Sequence, residues 1–550
     1  MFKNNKPGKW FLVATFILVG TTKTIFSQSL ELTQGPFKPT WESLKNYKTP
    51  DWFRDAKFGI WAHWGPQCQP EAGDWYARNM YIQGHKQYNT HIEKYGHPSK
   101  FGFKDVINLW KAQNFNPEEL VALYKSAGAK YFVGMAVHHD NFDLWNSKYQ
   151  PWNSVNMGPK QDIVGKWALA AKKNDLHFGV SIHARSAWSW YEVAQSSDKT
   201  GPMAGIPYDG KLTAADGKGL WWEGYDPQDL YEQNHKPSPV SENRKLQGQN
   251  PGEKATPAYN QKFYNRVLDV VNKYQPDLVY FDDYKLPLGM KDGRDAYGLN
   301  LVANIYNQSI LRNKGNNQAI VNTKALTDTE QLALTNDLEV GTERTINPIP
   351  WQSDACIGSW HYNSNLKQYK SSKAVIEALV DVVSKNGNLL LSIPIRADGT
   401  IDDAEKKVLN EIGKWLAING EAIYGTRPWT IFGEGPSTTS STESNSKGDQ
   451  PLFRKNSNPY LPSDFRFTTK NNSLYAIGLA WPETNKICIE SLKLSNNKKN
   501  QKITQVSLLG AQDKLTFQQT SKGLEVTLPN NKLMSTAYTL KIDGLSTSKN

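Results

Sequence analysis

The chain is nearly without cysteine: only Cys68, Cys356 and Cys488 occur among 550 residues. So sparse and odd a set excludes a disulfide framework, and none of the three stands in a CxxC or other metal-ligand spacing. They read as buried thiols, with a single bridge left open. A Gly-rich phosphate loop is missing, and so is any solenoid-type repeat. Long apolar runs are missing beyond the first thirty residues, which leaves no membrane span in a processed chain. Strong charge of one sign is lacking too. The formal net charge is +11 over 64 basic and 53 acidic side chains. That is weak for a nucleic-acid partner and fits a solvated basic surface or a polyanionic glycan.

What is present begins at the N-terminus. Lys3, Lys6 and Lys9 precede an apolar run over 10–20, followed by small and polar residues. This is the order of a secretory signal peptide, expected to be cut after Ser27, with Ser29 as the alternative. Residues 1–27 hold four Lys and no acid, so their removal lowers the net charge from +11 to +7. The expected location is periplasmic or extracellular. Hydrophobic content of 38% and charged content of 21% describe a folded globular protein. Trp (19) and Tyr (25) are abundant, and such rings stack on sugar faces as well as filling cores.

Short apolar strands then alternate with helical stretches. Strands are expected at 57–65, 130–137, 176–183, 276–284, 318–323 and 387–394. Helices are expected at 117–127, 163–174, 258–274, 297–312, 369–384 and 404–418. The alternation predicts an α/β fold with a parallel barrel or doubly wound sheet, and about 400 residues suit a TIM barrel with long loop insertions. Residues 434–464 begin with the low-complexity run GEGPSTTSSTESNSKGD and read as a polar linker or loop. From 465 to 550 short alternating strands predict a C-terminal antiparallel β-sandwich. The expected domains are 1–27 signal peptide, 28–433 barrel, 434–464 linker and 465–550 sandwich.

Titratable groups collect where strands end. His63 closes one strand, His138 and His139 another, His183 another, and Asp282 follows the apolar run LVYF (278–281). In a barrel those ends form one face and converge on one pocket. Neutral imidazoles both donate to and accept from hydroxyls, which suits a polyol. A metal site is the rival, but adjacent strand residues face opposite sides, so His138 and His139 are not expected to share an ion. Glycoside cleavage needs two carboxylates. Asp282 is the first, with Asp283 read as a turn cap. The second comes from Glu330, Glu339, Glu343 or Asp354, and Glu343 is preferred for its place in a long loop at the functional face. The neighbouring Arg344 argues against an acid role if the two pair.

At these residues the chain resembles the α-L-fucosidases of glycoside hydrolase family 29. The segments that carry the resemblance are KFGIWAHWG (57–65), DWYARNMY (74–81), HHDNFDLWNSKYQPWNSVNMGPKQDIVG (138–165), FGVSIHARSAWSWYE (178–192), PDLVYFDD (276–283), PWQSDACIGSWHYN (350–363) and VVSKNGNLLLSIP (382–394). The resemblance covers roughly 50–430. It implies a (β/α)8-like barrel followed by a β-sandwich, and a retaining exo-glycosidase that releases terminal α-L-fucose through a covalent glycosyl-aspartate. It places the nucleophile on Asp282 and the acid/base on Glu343, with His63, Asp74, Trp75, His138, His139, His183, Arg185 and Tyr280 around the sugar. No metal or organic cofactor is implied. Departures are Asp74 for a family Glu, Tyr280 for a Trp, HHDNF for HHDGF, PKQD for PKRD and Gln352 for a Glu. They open the alternative of α-L-galactose, which is L-fucose with a 6-hydroxyl, or its 6-sulfate, with Arg185 suited to the anion. The partner is therefore a fucosylated or L-galactose-containing oligo- or polysaccharide, with no nucleic acid and the oligomeric state open. The rivals are a catalytically inactive glycan-binding barrel and a histidine-based metal hydrolase.

Overall fold

The computed structural model describes residues 1, 30–184, 187–236, 255–284, 295–438, 450–454, 458–494, 502–534 and 536–545. The proposed signal peptide, Arg185 and most of the polar stretch after residue 438 lie outside them.

Eight parallel strands close into a barrel in chain order: Phe58–Ala62, Tyr131–Val137, His177–Ile182, Leu278–Tyr284, Ile320–Lys324, Thr335–Glu339, Trp351–Cys356 and Gly387–Ser392. The first pairs with the eighth at Phe58↔Leu389, which closes the ring. The flanking helices begin as their sequences dictate. Pro117–Ser126 starts on Asn116, whose side chain accepts from the Glu119 N–H, with Pro117 in its first turn. Asp403–Asn419 starts on a reciprocal Asp402–Glu405 capping box. Ile163–Lys173, Pro257–Tyr274, Asp295–Arg312 and Ser372–Ser384 complete the set expected from sequence.

Two barrel strands were not expected. Thr335–Glu339 (TNDLE) and Trp351–Cys356 (WQSDAC) occupy what reads in sequence as a loop. They carry Asn336, Asp337, Gln352, Ser353 and Asp354, all buried. A search for apolar runs passes over strands of this composition. No α-helix intervenes between the fifth and seventh strands, so the helical rhythm gives no signal either.

The C-terminal region is all antiparallel: a five-stranded and a three-stranded sheet around one apolar cluster that includes Phe465, Phe467, Ile489, Val526 and Leu540. Its first strand, Arg427–Glu434, pairs with Phe465–Lys470. The region therefore begins before residue 434, earlier than the composition break suggests. Gln450–Pro451, inside the expected linker, pairs with Gly341–Thr342. A buried ion cluster joins the two regions. Asp381 accepts from Lys385 (2.7 Å) and from Arg466 (2.7 Å) of the sandwich. Breaking a buried pair of this kind costs about 3–5 kcal/mol. All three cysteines are free thiols; Cys68 and Cys356 are buried and Cys488 is half-buried.

Candidate active site

The C-terminal ends of the strands gather one pocket with two chemically distinct walls. The first wall is imidazole. His63 follows the first strand, His138 and His139 the second, His183 the third and His361 the seventh. Ring centroids lie 4.9 Å apart for His63–His138, 4.6 Å for His63–His361 and 4.9 Å for His138–His361. His183 joins at 5.0 Å from His63 and 4.9 Å from His138.

His138 and His139 share this pocket, contrary to the alternation argument. The second strand shifts register between Met135 and Val137 and stops at Val137. A turn follows, with the Asn141 N–H donating to His138 O, so strand alternation no longer applies. Asn141 holds φ +62°, a left-handed conformation that Gly prefers and Asn tolerates. This accounts for Asn in place of the family's Gly. Arg266 of Pro257–Tyr274 fixes the turn by donating to Asn141 Oδ1 (2.6 Å) and Asp143 Oδ2 (3.1 Å).

Burial, with the neighbouring imidazoles, holds His63 and His138 well below the usual imidazole range, and burial lowers His139 to about 3. The wall therefore presents His63, His138 and His139 uncharged at neutral pH. Much of its hydrogen-bonding capacity is unused: both nitrogens of His63, Nδ1 of His139, Nε2 of His183 and Nε2 of His361 are buried without a partner. Gln67 Nε2 donates to His138 Nδ1 (2.8 Å), and Asp74 Oδ1 lies 2.6 Å from His361 Nδ1. These contacts leave Nε2 of each ring for the pocket. Indoles frame the wall. Trp190 lies 4.6 Å from His139, Trp75 meets Trp190 edge-on at 5.3 Å, and Trp360 lies 5.4 Å from Trp61. The indole N–H of Trp190 is also buried and unpartnered.

The second wall is carboxylate. The fourth strand runs to Tyr284, and its pairing with the fifth shifts between Tyr280 and Tyr284. A shift of this kind re-aims side chains, and Asp282 sits within it. Asp282 Oδ2 lies 2.9 Å from His183 Nδ1, and Oδ1 is bonded to Lys324 Nζ. Burial alone would raise the Asp282 carboxyl, but Lys324 and His183 overturn that and hold it well below the usual range. Of its side-chain surface 15% is exposed, enough for a ligand to reach it. Lys324 also donates to Glu339 Oε2 (3.1 Å) and lies 3.8 Å from Asp354 Oδ2.

Beneath them the Tyr280 hydroxyl lies 3.3 Å from Asp282 Oδ1, 3.3 Å from Asp337 Oδ1 and 3.1 Å from Asp354 Oδ2. It shares a face with Asp282, as alternation predicts. One hydroxyl proton serves only one of three carboxylates at a time. Burial and mutual repulsion push Asp337 well up, and burial pushes Asp354 to about 6.

The preferred second carboxylate is not brought here. After Glu339 the chain turns back outside the barrel. Ser353 donates to Gly341 O (2.7 Å), Thr342 to Asp381 (3.1 Å), and the Asn347 N–H to Lys385 O at the entry of the eighth strand. Glu343 rides on this descending run, where its carboxylate accepts from Asn347 Nδ2 (3.0 Å). Glu339, at the end of the sixth strand, is the carboxylate that reaches the Lys324 cluster. Glu330 receives the Thr327 N–H (2.8 Å) in a surface turn, and Asp354 is buried in the floor. Sequence reasoning missed Lys324, one residue past the expected end of the fifth strand, and His361, inside a segment read for resemblance alone. It also left out Gln67 and Trp190.

The α-L-fucosidase family profile matches residues 24–421, and the α-L-fucosidase C-terminal domain profile matches 457–543. The chain belongs to the α-L-fucosidase family and is a glycoside hydrolase. Tissue α-L-fucosidase of Rattus norvegicus is 26% identical over 522 residues, covering 92% of each chain. The Homo sapiens tissue enzyme is 26% identical over 537 residues, covering 94% of this chain and 95% of that one. Among solved structures, Thermotoga maritima α-fucosidase in complex with a mechanism-based inhibitor is 26% identical with a TM-score of 0.66, covering 92% of this chain and 99% of that one. The barrel and the two-sheet C-terminal region thus form one family architecture.

Proposed function

We propose that this α-L-fucosidase is a retaining exo-enzyme with Asp282 as nucleophile and Glu339 as acid/base. The observation that carries the reading is the single ammonium of Lys324, bonded to both carboxylates. Sharing one ammonium keeps the two carboxylates at the close range that retaining glycosidases use, not the wider spacing of inverting ones. Asp282, kept anionic, attacks the anomeric carbon of a terminal fucoside. Glu339, 37% exposed, protonates the departing oxygen, and its bond to Lys324 weighs against this role as pairing with Arg344 would for Glu343. A carboxylate–sugar ester forms as the glycosidic bond breaks. Glu339 then takes a proton from water, the water attacks the same carbon, and Asp282 leaves with the configuration retained. The unpartnered nitrogens of His63, His139, His183 and His361 receive the sugar hydroxyls, and Trp75 and Trp190 flank the ring. No step in this scheme calls on a metal.

A second reading, α-L-galactose, is favoured by one observation. The wall offers more buried, unpartnered polar atoms than the three free hydroxyls of a terminal fucose use, and a 6-hydroxyl would take another. The 6-sulfate variant rests on Arg185, outside the described residues. Export rests on residues 1–27, and the mature N-terminal mass checks it.

The test assays aryl α-L-fucoside and α-L-galactoside side by side. Asp282→Ala is expected to lose about 10⁴-fold or more in kcat. Glu339→Ala is expected to lose about 10²–10⁴-fold and to be rescued by azide, while Glu343→Ala stays near wild type. Azide rescue of Glu343→Ala alone returns the acid/base to Glu343. Sugar binding without turnover in the wild type would mean an inactive glycan-binding barrel.

A further inference from the structure

The floor of the pocket holds a hydroxyl shared among three acids. Tyr280 is fully buried, and its ring is pinned 5.4 Å from Trp61. Its oxygen lies 3.1 Å from Asp354 Oδ2, 3.3 Å from Asp282 Oδ1 and 3.3 Å from Asp337 Oδ1. An O–H···O bond is usually about 2.7–2.8 Å long, so the hydroxyl stands between acceptors and is committed to none. Burial, with these carboxylates around it, pushes the phenol well up, and it keeps its proton.

Two of the three acids compete for that proton. The third, Asp337, is held by Gln352: Tyr131 donates to Gln352 Oε1 (2.9 Å), which aims Gln352 Nε2 at Asp337 Oδ2 (2.6 Å). Burial and the neighbouring Asp354 keep a proton on Asp337, and a neutral carboxyl is a weaker acceptor than a carboxylate. That leaves Asp354 and Asp282 as the rival acceptors for Tyr280. Both Tyr280 and Gln352 are departures from the family pattern, and this network joins them.

We propose that Tyr280 is a positioning residue that passes its hydrogen bond from Asp282 to Asp354 and back within each turnover. This rests on the reading of Asp282 as nucleophile. When an Asp282 lone pair bonds the anomeric carbon, the glycosidic C–O bond breaks and Glu339 protonates the departing oxygen. Asp282 is then an uncharged ester, and Asp354 is the better acceptor. When water attacks, Glu339 takes its proton, the electron pair of the ester C–O bond returns to Asp282, and the hydroxyl swings back. Tyr280 keeps its own proton throughout. Its bond stabilises the ionised form of Asp282, which opposes attack and favours release. Tyr280 therefore slows formation of the glycosyl-enzyme and speeds its breakdown, while Asp354 keeps the buried hydroxyl partnered in between.

The test follows formation and decay of the glycosyl-enzyme in the purified protein, by rapid quench with whichever aryl glycoside the wild type cleaves. Tyr280→Phe is expected to form the adduct as fast as wild type or faster, and to lose it about 10-fold more slowly. Once decay limits turnover, kcat and KM fall together with kcat/KM held or raised, and the aryl alcohol appears in a burst. A packing role would lower kcat/KM as well. Should Tyr280→Phe fail to fold, Tyr280→3-fluorotyrosine keeps the ring, strengthens the donor and is expected to shift the ratio of the two rates the other way. Unchanged rates, or a loss in kcat/KM equal to that in kcat, overturn the proposal. Peptide mapping of the adduct separates it from the nucleophile assignment. An adduct on Asp282 with an unaltered ratio of rates strikes the proposal alone, whereas an adduct on another residue strikes both.

Discussion

The two walls of the pocket hold titratable groups in opposite ways. On the imidazole wall, His63 and His138 are buried and uncharged, and several ring nitrogens are left without partners. On the carboxylate wall, four acids crowd one ammonium and one hydroxyl, and oxygens compete for too few protons. The first wall is organised for a neutral ligand that brings its own hydroxyls. The second is organised around charge that must persist and move during a reaction. The difference also follows the barrel: strands one to three carry most of the histidines, and strands four to seven carry the acids and Lys324.

Lys324→Met breaks this comparison most directly. It leaves Asp282, Glu339 and Asp354 without their shared counter-charge. Losing a nearby cation raises a carboxylate by about 1–3 units, so the acidic limb of kcat/KM is expected to move to higher pH by about that much. Removing one partner of a buried pair also costs about 3–5 kcal/mol of stability. A variant whose limb stays in place would show that Lys324 is structural and that another group keeps Asp282 ionised.

On the other wall, Asp74 and His361 act as one unit. Asp74 is one methylene shorter than the family's Glu, and His361 extends its reach toward the pocket. His361→Ala is expected to raise KM about 10-fold or more, the worth of a hydrogen bond of about 1.5–3 kcal/mol, with a smaller change in kcat. Adding Asp74→Glu to that variant is expected to recover part of the loss, since the longer acid reaches the vacated space. If the double variant is no better than the single, His361 contributes packing only.

The same contrast explains what was legible in the sequence. Tyr131–Val137 is apolar throughout and Gly387–Ser392 is built on Leu389–Leu391, and both are flanked by capped helices, so their physics is local. Thr335–Glu339 and Trp351–Cys356 are strands because neighbouring strands pair with them, at Asp337↔Gln352 and Glu339↔Asp354. Their own polarity argues against burial until Lys324, Tyr280 and Gln352 are placed around them. Missing those strands put Glu343 at the functional face, although the descending run carries it away. The histidines at strand ends were legible because a parallel barrel brings its strand ends together whatever the loops do. The exception was the pair at 138 and 139, where alternation was applied past the strand's last residue.

Asp140 gives the smallest and sharpest test, because it is an acid placed on the imidazole side. Asp282, with Lys324 and His183, is held low; Asp140 is pushed up to about 7 by burial, with Asp143 adding to the shift and Arg266 opposing it. Its Oδ1 receives a long contact from the Phe142 N–H (3.4 Å), and Oδ2 is buried without a partner. The folded chain therefore binds this proton more tightly than the unfolded chain does. Its stabilising contribution is complete below the unfolded value near 4 and is lost as pH rises through about 7. Asp140→Asn keeps the shape and removes the titration. The variant is expected to flatten the stability–pH curve between about 4 and 7, and to exceed wild type above it by on the order of 1–3 kcal/mol in urea unfolding. A curve parallel to wild type across that window would mean that Asp140 is already ionised at neutral pH, and that the two walls differ less than their partners suggest.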